Sequence, residues 1–381
     1  MWFLEADTLF LLIITSCAMI LFSGISRLLF KKDLAPKVLI IANATVIGVI
    51  SKELLLWSAL YTIITFILIK HLTHLKRGRK VLFFIYCLIC TVPFFYGRMH
   101  TFFDGLPVFI SFIGIAYHML KAIDALYFVY YTHMDIPFFA YANYILFFPT
   151  FTSGPIFRYR DWIRVYQNPK KLTFNDFIGY VKRFIRGAFK KMVVLWFVST
   201  IFSHILDMEL TPILSILLIV LSYITVYLDL SGYSDLAIAT GSAMGFTVPE
   251  NFRKPLSAAS FTVFWRNWHI TLSDWVREHI FVVLNGKKLG RVLSAFVGFC
   301  TMFVMEMWHG FTMPYIIGGI YNGLCLGLEN LFGLTKADKR KMNKFVYVLR
   351  CIFVNAAFAV NTLLFTVSTE QFFRIMHSFT R

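Results

Sequence analysis

Charge is scarce in this chain, and acidic charge scarcer still. Of 381 residues only 15% are Asp, Glu, Lys or Arg, with 20 acidic side chains against 37 basic ones. A soluble domain carries about 25% charged residues. With 58% hydrophobic residues, disordered chains, coiled coils and most soluble enzymes are excluded. Cysteine gives no framework. All six (Cys17, Cys87, Cys90, Cys300, Cys325, Cys351) lie in apolar runs. Cys87-x-x-Cys90 has metal or redox spacing, but no second pair or polar ligand completes it, so both read as small buried hydrophobes. His71-x-x-His74, beside Lys70 and Lys76, reads as a loop-end face rather than a metal pair. There is no Gly-x-Ser-x-Gly elbow, and Gly241 to Gly245 lacks the lysine and hydroxyl of a phosphate cradle. No repeat is visible at the half-chain spacing a transporter favours. Glu5 and Asp7 stand where a cleaved leader would be basic, so the first 30 residues do not read as one.

What the chain has is long apolar runs, near the roughly 20 residues that cross a bilayer. About eleven segments are expected, at 8–30, 38–50, 54–69, 81–97, 106–131, 136–151, 192–206, 211–229, 292–308, 313–333 and 345–367. The fold class is an all-α polytopic membrane protein. The basic surplus gathers in short loops: Lys31, Lys32 and Lys37, then Lys76 to Lys80, then Arg158 to Lys191. That is the positive-inside pattern and a match for anionic lipid headgroups, so the charge reports topology and not nucleic acid. Two basic loops at 31–37 and 70–80 require residues 38–69 to leave and return, turning near Ser51-Lys52-Glu53.

Three regions do not read as simple spans. Residues 149–191 open with helix breakers (Pro149, Ser153, Gly154, Pro155), pass Arg158, and continue into an amphipathic helix on the cytoplasmic interface, with Thr173-x-x-Asp176 as its cap. Residues 229–255 are apolar yet carry Asp229, Asp235 and several Ser and Gly, so they are expected to be irregular. Residues 256–291 crowd Trp265, Arg266, Trp268, His269, Trp275 and Glu278 together. Polar or irregular backbone at membrane depth survives only inside protein or against a wet cavity. The three regions are therefore expected to build a cavity walled by the outer helices, lined by Ser153, Arg158, Asp229, Asp235, Trp265, Arg266 and Trp268.

Two histidines follow tryptophan, at Trp268-His269 and Trp308-His309. His309 ends an apolar run, with Glu306 one helical turn before it. An intramembrane histidine is costly and usually functional, and it titrates near neutrality unaided. The competing reading is a packed ring bonded to a carbonyl or to Glu306. His269 divides evenly between catalysis and bracing the cavity. His118, His133 and His204 sit near segment ends, where an interfacial role is expected.

Four blocks together resemble the membrane-bound O-acyltransferases: Tyr144 to Asp161 (YILFFPTFTSGPIFRYRD), Asp229 to Pro255 (DLSGYSD, MGF, PENF, KP), FWRNWHITLSDWVRE from Phe264 to Glu278, and MWHG from Met307 to Gly310. They occur in the family's order and cover well over half the chain. The resemblance implies a ring of helices around a funnel, with residues 1–135 as outer helices, 136–330 as catalytic core and 331–381 as C-terminal helix and tail, all one domain. It implies a bacterial cytoplasmic-membrane enzyme with no bound cofactor. The acyl group would arrive on the phosphopantetheine arm of a carrier protein at the cytoplasmic face. The acceptor would be an envelope hydroxyl, reached directly or through an envelope-side partner or relay peptide. His309 matches the family's catalytic histidine and His269 its second Trp-His block, with Trp308 and Glu306 beside the site. FFPTFTSGPIFRYR and the compact length look like the D-alanyl branch, which is favoured; YSDLAIATGSAMGFTVPENF looks like the alginate-type acetyl branch. One departure is Tyr321-Asn322-Gly323, where the family often has an aromatic-His-Gly triplet. A transporter using Asp229, Asp235, Arg266 and His309 as a polar path, and a non-catalytic scaffold, are the alternatives.

Overall fold

The computed structural model describes residues 6–99, 114–285, 290–335, 337, 339, 340 and 342–380. Among them there is no strand, and seventeen α-helices carry the chain. Seven helical stretches are long and apolar enough to cross a membrane: Phe10–Phe30, Lys52–His74, Arg79–Arg98, Phe174–Leu206, Pro212–Ala243, Arg291–His309 and Lys344–Thr366. The protein is thus an all-helical, multi-pass membrane protein. Length and composition do not give eleven spans. The segment expected at 38–50 is α2, Ala35–Ile50, of 16 residues. That at 136–151 is the short α6, Phe138–Leu146, followed by a 3-10 turn. The segments at 106–131 and 313–333 correspond to α5, Ile115–Thr132, and α15, Met313–Leu331, whose Lys121, Asp124, Asn322 and Glu329 dilute their apolar character. Residues 106–113 lie outside the described residues.

The chain divides into two compact units, Met1–Arg186 with Ser234–Pro249, and Gly187–Tyr233 with Glu250–Arg381. In the first, the turn expected near Ser51 is present. Ser51 is extended and its Oγ accepts from Leu54 N at 3.0 Å, capping α3, Lys52–His74. Near the helix breakers the chain turns so tightly that a Cβ on Gly154 would lie 2.7 Å from Thr150 Cα. Phe147, Trp162 of α7 (Tyr159–Gln167) and Phe246 pack face and edge there, Trp162 and Phe246 stacked at 5.7 Å.

In the second unit, α14 (Arg291–His309) and α15 form a hairpin built on small residues. Gly319, Gly323 and Gly327 recur every fourth residue and face Phe303, Phe299 and Ala295. A Cβ on Gly323 would come within 2.7 Å of the Phe299 ring. Without a hydrophobic drive between helices in lipid, such stripes let backbones approach and gain dispersion contact. Tyr223, Phe264, Trp268 and Phe358 form the aromatic core beside them.

Two expectations are corrected. The amphipathic helix does not lie separate on the interface. α8 (Phe174–Ala188) runs through a π-turn at Phe189–Val194 into α9 (Leu195–Leu206) as one helix of 33 residues. Its length is about 50 Å, against a hydrocarbon core of about 30 Å, so its basic first turns extend past the lipid tails. The expected capping residues do cap it: Asp176 N donates to Thr173 Oγ1 at 3.1 Å and Thr173 N to Asp176 Oδ2 at 3.1 Å. Second, the stretch expected to be irregular from 229 stays helical to the end of α10, Pro212–Ala243. The carboxylates do not break the helix because each meets a cation, Lys191 Nζ at 2.5 Å from Asp229 and Arg183 Nε at 2.9 Å from Asp235.

Candidate active site

His309 is the last residue of α14 and is half-buried. Its ring lies edge-on to Trp308 at 4.7 Å and parallel to Tyr315 at 6.5 Å, and Tyr315 stacks on Phe365 at 5.0 Å. The glycine that follows is required by space. A Cβ on Gly310 would sit 2.3 Å from the Tyr315 ring. The Trp-His-Gly triplet therefore seats the imidazole between Trp308, edge-on, and Tyr315, parallel to it, at a helix end.

Glu306, one turn earlier, is buried. Its Oε1 accepts from Asn322 Nδ2 at 2.7 Å and from Asn361 Nδ2 at 3.4 Å. Asn361 comes from α16, Lys344–Thr366, so the carboxylate joins three helices just before His309. Asn322 stands where the resemblance expected histidine. An amide there donates to the carboxylate, a job a histidine N–H could also do.

His269 sits in the same unit between α11 (Phe261–Trp265) and α12 (Ile270–Val276). It is 4% exposed and left-handed, φ 45° and ψ 51°. That conformation costs a non-glycine residue roughly 1–2 kcal/mol. It is held by Asn251, whose carbonyl accepts from Ile270 N at 2.9 Å and whose Oδ1 accepts from Thr271 Oγ1 at 2.9 Å. His269 Nδ1 is buried with no hydrogen-bond partner among the described residues. Backbone strain of this kind clusters at active sites and ligand clamps, and a buried polar atom left unused calls for an explanation. The ring lies outside the seven candidate spans, and burial pulls its pKa down to about 4, so it is neutral near pH 7.

A cavity of about 240 Å³ opens nearby, and Trp265 and Arg266 both line it. Ser273, Asp274 and Arg277 supply its polar side and Met302 and Met305 its apolar floor. Neither His309 nor His269 is among its lining residues. Trp268 is buried instead in the aromatic core, stacked on Phe264 at 5.5 Å and on Tyr223 at 5.5 Å. Asp229 is spoken for by Lys191, which is only 4% exposed.

The other expected residues fall in the first unit. Asp235 pairs with Arg183. Ser153 is half-buried in the tight turn. Arg158 is buried at the start of α7, 4.0 Å from Asp124. Asp124 also accepts from Tyr159 N at 2.6 Å and Tyr144 Oη at 3.2 Å. Sequence reading overlooked this centre. Lys121, 1% exposed, places its ammonium over the Tyr144 ring at 5.7 Å. His118 is also buried here and not at an interface, its Nδ1 within 2.8 Å of Gly114 O and its ring edge-on to Phe151 at 4.7 Å. The signal was available, since Lys121 and Asp124 stand inside an apolar run and ionisable residues there are rarely idle. No group of three or more His, Cys, Asp or Glu fit for a metal exists among the described residues.

The chain matches the model of the membrane-bound O-acyltransferase family over residues 40–369. It is 32% identical to a probable alginate O-acetylase, AlgI, of Pseudomonas fluorescens over 232 residues, 60% of this chain and 46% of that protein. It is 31% identical to the teichoic acid D-alanyltransferase of Bacillus subtilis over 242 residues, 58% of this chain and 60% of that one. The teichoic acid D-alanyltransferase of Streptococcus thermophilus is 27% identical over 288 residues, 71% of this chain and 68% of the other. The chain spans about half the length of the alginate O-acetylases it matches.

Proposed function

Because the chain belongs to the membrane-bound O-acyltransferase family, we propose that it transfers an acyl group from a thioester to a hydroxyl of a bacterial envelope polymer. The observation that carries the reading is the seat of His309. A titratable ring closes a candidate membrane helix, flanked by Trp308 and Tyr315, directly after a buried carboxylate network.

A thioester is already activated; the alcohol is the weak partner. His309 takes the hydroxyl proton as the oxygen attacks the thioester carbonyl, a step worth about 10²–10⁴-fold. The tetrahedral oxyanion collapses, the C–S bond breaks, and the imidazolium returns the proton to the departing thiolate. An ester and a thiol result. The oxyanion needs N–H donors. The Trp308 indole and a neutral His269 are the candidates, because both donate without bringing charge into an apolar site.

D-alanyl is the proposed acyl group, carried on the phosphopantetheine arm of a carrier protein at the cytoplasmic face. The teichoic acid D-alanyltransferase of S. thermophilus supports this, since the match covers more than two thirds of both chains. Teichoic acid or a similar polymer is the acceptor, reached directly or through a relay protein. The basic first turns of the 33-residue helix suit an acidic carrier. Acetyl transfer to an exopolysaccharide is the second reading, supported by the 32% identity to AlgI. Mass spectrometry of envelope polymers from a deletion strain separates them. Loss of D-alanyl esters supports the first, loss of acetyl esters the second, and an unchanged ester profile contradicts both.

A further inference from the structure

A second cavity, of about 460 Å³, lies away from His309 and His269, at the other end of the α14–α15 hairpin. Its wall is a helical stripe of α15 (Cys325, Leu328, Glu329) continued by Phe332 just past its end, facing a stripe of α16 (Arg350, Phe353, Val354), with Phe261 at the start of α11. Val354 is 3% exposed at its base, while Phe332 is 67% exposed at its rim. It is an open apolar groove with two charged groups, and their states differ. Glu329 is consumed by a helix N-terminus: its carboxylate accepts from Phe261 N at 2.7 Å, Thr262 N at 2.8 Å and Thr262 Oγ1 at 2.7 Å. Arg350 donates only to neutral carbonyls, Ala259 O at 2.9 Å and Leu334 O at 2.8 Å. No carboxylate lies within 4.0 Å of it among the described residues.

The groove runs to a basic edge. The connection from Leu334 to α16 reads T-K-A-D-K-R-K-M-N-K, residues 335–344. Lys339 lies within electrostatic range of Cys351, the neighbour of Arg350, and Lys344 opens α16. Along α16 the lining runs from Arg350 to Val354, about 6 Å of helix, and Lys344 stands about 9 Å nearer the helix start than Arg350. An apolar groove with an arginine in its wall and exposed lysines toward its edge has the chemistry of one anionic lipid.

We propose that the groove between the C-terminal end of α15 and the N-terminal end of α16 binds an anionic phospholipid, one acyl chain against Val354 and Phe353 and the phosphate at Arg350, Lys339 and Lys344. Its volume lies within the roughly 300–1,000 Å³ of specific ligand sites, and basic clusters beside membrane helices select anionic headgroups.

The test uses the full chain in phosphatidylcholine nanodiscs containing a diazirine-bearing phosphatidylglycerol or, in parallel, a diazirine-bearing phosphatidylcholine. Cross-linked peptides are mapped by mass spectrometry. Phosphatidylglycerol should label 325–334 and 350–354 in clear preference to phosphatidylcholine. Lys339→Gln and Lys344→Gln, both exposed, should each lower that preference by roughly fivefold. Val354→Trp, which fills the slot, should abolish labelling by both lipids; if that variant does not fold, the two lysine variants decide. Glycerol phosphate in solution should not compete. Equal labelling by the two lipids, indifference to the lysine changes, or competition by glycerol phosphate would each overturn the proposal.

Discussion

Asn322 does more for the site than its amide suggests. Its Nδ2 is the 2.7 Å donor to a carboxylate buried among three helices. Removing one partner of such a pair leaves the other desolvated and unpaired, at a cost of about 1–3 kcal/mol. Asn322→Leu should therefore lower thermal stability in detergent, and Glu306→Leu added to it should restore much of the loss, because both polar partners are then gone. A single variant as stable as the parent would show that the amide does not support Glu306. His269 carries a different kind of stress, a left-handed backbone and a buried ring nitrogen. These individual features were half legible in the sequence. The two Trp-His pairs announce themselves. The amide that meets Glu306 lies 16 residues on, and the pairing exists only because Gly319 and Gly323 bring α15 against α14.

Continuous helices explain why two regions misled the sequence reading. Asp229 and Asp235 look like helix-ending polarity in an apolar run, yet α10 passes through both. The cations that neutralise them come from positions 38 and 52 residues earlier, beyond the reach of any local pattern. The Lys191–Asp229 pair is the more buried of the two at the lysine. Lys191→Met should cost about 1–3 kcal/mol by leaving a largely desolvated carboxylate unpaired, and Asp229→Leu in the same chain should recover most of it. A thermal-unfolding double-mutant cycle reads this directly, and additive losses would contradict the pairing. The start of the 33-residue helix offers a pH test. Lys170, then the Thr173 amide and hydroxyl, hold the Asp176 carboxyl down at about 2 against an ordinary 3.8. A depressed carboxylate supports the folded state above its unfolded value and loses that support as pH falls through the folded one. The cap should persist at pH 5 and fray between about 4 and 2. Hydrogen exchange at the Phe177 amide reports it, and Asp176→Ala should show fast exchange at every pH.

Across the chain, the class of fold was plain from apolar length and basic loops, and every regular element among the described residues is a helix. The number of spans was not, because α5 and α15 bury lysine, aspartate, asparagine and glutamate inside protein and so read as weakly apolar. The site residues also divide by unit. Trp265, Arg266, Trp268, His269, Glu306, Trp308 and His309 fall in one, and Ser153, Arg158 and Asp235 in the other. Within their own units Arg158 and Asp235 are already engaged by Asp124 and Arg183, and Asp229 by Lys191. The catalytic role we propose therefore falls to the half that holds both Trp-His pairs.

The most direct measurement is single-turnover acyl transfer by His309→Ala, purified and shown to be folded, with an acyl-loaded carrier protein and the polymer acceptor. The rate of ester formation should fall by about 10²–10⁴-fold while the carrier still binds, and His269→Ala should fall less. A His309→Ala rate close to that of the parent would contradict the assignment of this imidazole as the base.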